Sequence, residues 1–261
     1  MKDASGNALS PYTIYLCTTF ATTSTSPVVV LSSPQANATN VGTNVKVQLE
    51  FSADMNQSTQ AGMTLSAGGT PVAVTYSWNS GPYCSCGSGT VVTFTPAAPL
   101  NAATVYTVVY TSARTDTSGN PLTPGSFNFT TGAGPDTANS GASPNFYSGQ
   151  PNIGTNFTAR MTYSKPVNPI TINTSNLIVY NVDSGKYVLG TVAVAPDGLS
   201  ATFTPTLPLL PQTGYYFYQG DCYCDMNGNY LYGSKTFSVT GTGSATTTPT
   251  VVSVLPVHAA G

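Results

Sequence analysis

The chain has 261 residues, of which only 6% are charged, with a net charge of −2 and a single histidine. So few and scattered basic residues exclude an electrostatic footprint for nucleic acid or an anionic membrane surface. No apolar run reaches the length of a membrane-spanning helix. The scarcity of Glu, Lys and Arg also removes the residues that coat exposed helices. Thr, Ser, Val, Tyr, Gly, Pro and Asn, the residues of strands and turns, take their place.

Taken in chain order, residues 1–23 open with "MKDASGNALS", which has no apolar signal core. They continue with "TIYLCTTF", which reads as the last strand of a preceding unit. Seven alternating or β-branched runs follow, at 28–31, 45–51, 63–65, 72–78, 91–95, 105–111 and 126–131. "VKVQLEF" shows the period of two: Val45, Val47, Leu49 and Phe51 are expected to face the core, and Lys46, Gln48 and Glu50 the solvent. Phe94 and Tyr106 join the expected core, with Phe157, Phe203, Tyr215 and Phe217 in the later half. No stretch offers a ten-residue helical stripe. Trp78 stands alone and reads as local packing. The end, "TVVSVLPV", resembles the first strand of a further unit.

The chain repeats. "TFTPAAPLNAATVYTVVY" at 93–110 lies over "TFTPTLPLLPQTGYYFYQ" at 202–219 with an offset of 109 and no gap. "VGTNVKVQLEFSADMN" at 41–56 lies over "IGTNFTARMTYSKPVN" at 153–168 with an offset of 112. The small difference is a loop indel. The expected organisation is therefore a strand fragment (1–23), two whole units (24–134 and 135–242), and a linker with the first strand of a following unit (243–261). Seven short strands in about 105 residues indicate an antiparallel immunoglobulin-like sandwich. The predicted fold class is all-β, with tandem sandwiches of about seven strands each. The chain reads as an excerpt of a longer array.

The order "VG.NV.V...FS..M", "F.P..PL...T.YTV", "D..GN.L" and "F.F.T" resembles the bacterial Ig-like domain first described in S-layer proteins. The second unit departs from it where Met55 becomes Val167 and "SFNFTT" becomes "TFSVTG". The resemblance implies a non-catalytic, extracellular module of surface-layer proteins, adhesins and secreted enzymes. Its partners would be neighbouring repeats of the same protein or second copies of it.

The pentapeptide "D..GN" occurs at 3–7, 116–120 and 225–229. It falls between the sixth and seventh strands, so Asp116, Gly119 and Asn120, and likewise Asp225, Gly228 and Asn229, are expected to build a turn. Asp bonds backbone amides two residues on, and Gly supplies a positive φ. A calcium reading takes Asp54, Asp116, Asn120, Asp225 and Asn229 as oxygen ligands. It lacks the terminal Glu of an EF-hand and the converging carboxylates of a junction site, so the turn reading is preferred and no cofactor is expected. No catalytic set is apparent: His258, the only histidine, lies in the C-terminal tail, and no carboxylate pair recurs.

Five cysteines do not repeat: Cys17, Cys84, Cys86, Cys222 and Cys224. A four-cysteine zinc site is disfavoured because the two Cys-x-Cys pairs occupy corresponding ends of successive units, a domain length apart. Disulfides suit an extracellular chain, and a bridge from Cys17 to Cys84 or Cys86 would clamp a junction. The leading functional expectation is a structural or adhesive segment of a surface or fibre-forming protein, assembling head to tail. The alternative is a glycan-binding or spacer region of a polysaccharide-degrading enzyme, invited by seven Tyr or Phe residues in "GYYFYQGDCYCDMNGNYLY". A planar row of three exposed Tyr on one face would favour glycan, and scattered rings would favour the spacer.

Overall fold

The computed structural model describes residues 25–58, 61–78, 90–220, 223–231 and 235–243. The first unit contains β1 (Val29–Ser33), β2 (Val47–Phe51), β3 (Met63–Ala67), β4 (Thr70–Pro71), β5 (Val74–Trp78), β6 (Val91–Pro96), β7 (Val105–Tyr110) and β8 (Gly125–Thr130). One sheet runs β1-β2-β6-β5 and the other β4-β3-β7-β8, the two-layer arrangement of an immunoglobulin sandwich.

The second unit repeats this plan. Its elements are β9 (Ala142–Pro144), β10 (Gln150–Ile153), β11 (Ala159–Tyr163), a 3-10 turn (Pro169–Thr171), β12 (Leu177–Asn181), β13 (Lys186–Tyr187), β14 (Gly190–Val194), β15 (Ser200–Pro205), β16 (Gly214–Gln219) and β17 (Lys235–Thr240). Its sheets run β14-β15-β11-β9 and β10-β17-β16-β12-β13. Both units are immunoglobulin-like sandwiches, and the 3-10 turn is the sole helical element among the described residues.

The first unit has eight strands where the sequence pattern predicts seven, and in both units the chain changes sheet between short strands. In the first unit Thr70–Pro71 pairs with β3, whereas Val74–Trp78 crosses over to pair with β6. In the second, β9 pairs antiparallel with β11 and β10 pairs parallel with β17. A hydrophobic run marks a strand but not the sheet it joins. The predicted run 45–51 enters the ladder only at Val47, because Val45 turns back to bond Gly42.

Each sandwich buries its own aromatic centre. Phe94, Tyr106 and Phe129 lie in the first core and Phe203, Tyr215 and Phe217 in the second. Removing one such ring from water contributes roughly 1.5–3 kcal/mol. Phe157 differs from expectation. It is half-buried, packed edge-on against Phe146 at 5.2 Å and Phe217 at 5.4 Å, because it precedes β11 and covers the open end of the core. Trp78 packs on Phe51, and the Arg114 guanidinium lies 4.4 Å from the centroid of its ring.

The expectation that Gln48 and Glu50 face solvent is overturned. Both are buried, at 9% and 8% exposure, although Lys46 is exposed. Asn168, which caps the 3-10 turn of the second unit, lies against Gln48, so a neighbouring unit covers the outer face of β2.

Candidate functional site: the junction between the units

The pentapeptides at 116–120 and 225–229 form the same turn; the one at 3–7 lies outside the described residues. In the first, Asp116 Oδ1 accepts from the Ser118 and Asn120 amides at 2.9 and 2.8 Å, and Oδ2 from Asn120 Nδ2 at 2.8 Å. In the second, Asp225 Oδ1 accepts from the Asn227 and Asn229 amides at 2.9 Å each, and Oδ2 from Asn229 Nδ2 at 3.0 Å. Gly119 and Gly228 take φ of +88° and +87°, the left-handed region that only glycine adopts without strain. Leu122 and Leu231 follow and are fully buried, anchoring each turn to its core.

Both carboxylates thus spend their lone pairs on N–H donors, the opposite polarity from a calcium cage. Asp54 accepts from the Thr90 hydroxyl at 2.8 Å, and with Asp116 it lines an open cleft of about 300 Å³ at the first unit's exposed end. Among the described residues, no three His, Cys, Asp or Glu side chains gather as a metal site. Cys17, Cys84, Cys86 and Cys222, and with them every proposed bridge, lie outside the described residues. Cys224 is buried beside the second turn, and its carbonyl accepts from the Asn168 amide.

The second turn differs from the first in what surrounds it. Met226 reaches into the hydrophobic cluster of the first unit, and Asn227 Oδ1 accepts from the Gly42 amide at 3.0 Å. Gly42 is required there: a Cβ would sit 2.8 Å from both Asn227 Oδ1 and the Asp136 nitrogen. Asn44 clamps the linker reciprocally, its Nδ2 donating to the Asp136 carbonyl and its Oδ1 accepting from the Asp136 amide, each at 2.9 Å. The Thr43 amide donates to the Gly134 carbonyl at 3.0 Å.

Charge closes the junction. The Lys165 ammonium lies 2.6 Å from Asp136 and 3.6 Å from the buried Asp225, and also donates to the Ala138 carbonyl. Partial burial pushes the Asp136 carboxyl up, but the Lys165 ammonium, the Ala138 amide and the Asn227 amide outweigh it and hold the group below its ordinary range. On the flank, Asn168 Nδ2 donates to Gln48 Oε1 at 2.5 Å, and Gln48 donates in turn to Thr93. Burial alone pushes the Glu50 carboxyl up. Beside this network a cleft of about 250 Å³ separates Gln35–Thr39 from Pro166, Pro196 and Met226.

Sequence reasoning found the turn's Asp, Gly and Asn but missed the junction residues Gly42, Asn44, Gln48, Asp136, Lys165, Asn168, Met226 and Asn227. One signal was available: Met226 is an apolar residue at a turn position where the first unit has Thr117.

Comparison with known proteins fits this architecture. The sequence profile of the bacterial Ig-like domain matches residues 23–131 and 142–240. The chain belongs to the bacterial Ig-like domain family, in two copies. No curated protein sequence matches it. Among solved structures, the N-terminal part of the bacterial S-layer protein SbsC shares 14% identity over 82% of this chain and 44% of that one, with a TM-score of 0.32. The chain therefore spans less than half of that structure. The N-terminal Ig1-2 module of the Drosophila receptor protein tyrosine phosphatase DLAR shares 12% identity over 83% of this chain and 98% of that one, with a TM-score of 0.23.

Proposed function

We propose that the chain is a non-catalytic structural segment of a bacterial extracellular or cell-surface protein, in which successive units are coupled through end-to-end junctions. The observation that carries this reading is the bonded junction: buried Met226 and Gly42, with exposed Asn44 and partly buried Asp136 and Lys165, fix the linker and both unit ends at once. A flexible tether would not hold these contacts together.

The second unit carries the same acceptor. Its Thr155 amide donates to the Gly243 carbonyl at 3.1 Å, as Thr43 does to Gly134. A following unit, or a second copy of the chain, would dock there, which is the sense in which the segment assembles head to tail. Small-angle scattering tests the coupling. The wild type should give one fixed interunit orientation, and Gly42→Ala should broaden the distance distribution while each sandwich stays folded. A wild type already as broad as the variant would defeat the reading. For assembly, sedimentation of protein lacking residues 249–261 decides whether the tail takes part: unchanged oligomers would exclude it.

A further inference from the structure

The outer face of one sheet of the second unit carries a row of aromatic residues in register. Tyr187 pairs with Tyr180, Tyr180 with Tyr216, and Tyr216 with Phe237, across β13, β12, β16 and β17. Three strand steps of about 4.8 Å make the row about 14 Å long. Tyr180, Tyr216 and Phe237 alternate with buried neighbours and so point away from the core, and Tyr187 is 65% exposed. The Lys235 ammonium rests 3.9 Å from the centroid of the Tyr216 ring.

The first unit supplies an internal control. The same register there reads Pro71, Ser66, Thr107 and Asn128, with no ring among them. The sheet nevertheless forms with the same strand order, β4-β3-β7-β8. Cross-strand aromatic pairs stabilise a sheet, but the shared strand order does not require them. Four rings at homologous places in one unit and none in the other are therefore a feature of the second unit beyond the shared fold.

The chemistry of the row selects the ligand. Apolar ring faces edged by phenolic hydroxyls match a sugar, whose C–H faces stack on rings while its hydroxyls bond polar tips. A protein partner needs about 800 Å² of surface per side, more than a row one ring wide provides. Nucleic acid needs several basic groups, and Lys235 is one. The row is not the planar, exposed one expected from the sequence for a glycan site: Tyr180 and Tyr187 meet at 65°, Tyr216 and Phe237 at 59°, and all but Tyr187 are half-buried. Such a corrugated strip cannot lie against the flat face of a crystalline polysaccharide but suits a single twisted chain.

We propose that the Tyr187–Tyr180–Tyr216–Phe237 row binds a single polysaccharide chain, with Lys235 leaving the Tyr216 ring to meet a sugar oxygen. The site stands apart from the junction, so failure of either reading leaves the other intact. Affinity electrophoresis in native gels containing soluble hydroxyethylcellulose, glycol chitin or polygalacturonate tests it. At least one polymer should retard the wild type. The variant Tyr180→Ser/Tyr216→Thr/Phe237→Asn, which copies the first unit's residues, should bind about tenfold more weakly or worse. Tyr187→Ala, at an exposed edge position where the first unit has Pro71, should bind more weakly too and decides the question if the triple variant does not fold. Three outcomes would each overturn the proposal: no retardation by any polymer, retention unchanged in the variants, or a wild-type dimer that the triple variant abolishes.

Discussion

β2 and β11 occupy the same place in their sandwiches, yet β2 is buried on both faces and β11 on one. β2 reads Val-Gln-Leu-Glu-Phe and β11 Ala-Arg-Met-Thr-Tyr, both with an apolar period of two. In β11 the polar members, Arg160 and Thr162, stay exposed; in β2, Gln48 and Glu50 are buried, and Gln48 lies against Asn168 of the second unit. The alternation of a strand specifies the face that its own domain buries. It carries no mark of a neighbour covering the other face, because a Gln that bonds water and one that bonds Asn168 have the same side chain.

The cores differ in a coupled way beside the turns. Leu122 bonds the Arg114 carbonyl in the first unit as Leu231 bonds that of Tyr223 in the second, so Arg114 and Tyr223 are equivalent. The matching ladder positions hold Trp78 and Val194. Arg114 is fully buried under Trp78, whereas Tyr223 fills the space with a ring. The largest expected effect follows from this exchange. Arg114→Ala should destabilise the first unit by about 3 kcal/mol or more in denaturant titration. The pair Arg114→Tyr/Trp78→Val, taken from the second unit, should recover much of that loss. A cost under about 1 kcal/mol for Arg114→Ala would mean that the two cores are not equivalent solutions.

The turns give a smaller effect. No atom lies within 4 Å of a Cβ built at Gly119 or Gly228, so Val there meets only backbone strain. Each substitution should cost roughly 1–3 kcal/mol, and only Gly228→Val should also loosen the junction. Equal scattering profiles for the two variants would erase that distinction.

Next comes charge. Asp136 has its pKa held below its ordinary value of 3.8, so its contribution is complete above that value and is lost as pH falls through the lower, folded value. Interunit coupling, followed by scattering, should therefore weaken in acid, and Lys165→Met should reduce this pH dependence, the Ala138 and Asn227 amides keeping part of it. EDTA should leave the coupling and the melting temperature unchanged; a drop on chelation would reinstate the calcium reading. The smallest effect belongs to Glu50, whose pKa is raised above 4.5 by burial. A raised acid opposes folding once ionised, so Glu50→Gln should gain at most about 1 kcal/mol at neutral pH. That gain should vanish below the ordinary value. A gain that persists in acid would point to packing instead.

The strands, the repeat and the turns were legible because each follows from local chemistry: alternation, a fixed offset, and Asp and Gly at set places. The junction was not, since Asn44, Lys165 and Asn227 gain meaning only through residues some 29 to 185 positions away. The aromatic row fell between these cases. Tyr216 was plainly aromatic, but its alignment with Tyr180, Tyr187 and Phe237 depends on register across four strands.

The first and last segments of each unit run parallel. Val41 bridges Thr131 in one unit, and β10 pairs with β17 in the other. A chain pulled from its two ends would load these segments in shear, so that their hydrogen bonds must give way together rather than peel one by one. Bonds from Asn37 to Asn128 at 2.7 Å and from Gly241 to Ile153 at 2.8 Å lie on that path. With the linker pinned at Gly134 and Asp136 there is little slack between the units to absorb the pull. Stretched, such an array behaves as a stiff cable, its tensile strength set by the seams at the margins of each sandwich rather than by the apolar cores within.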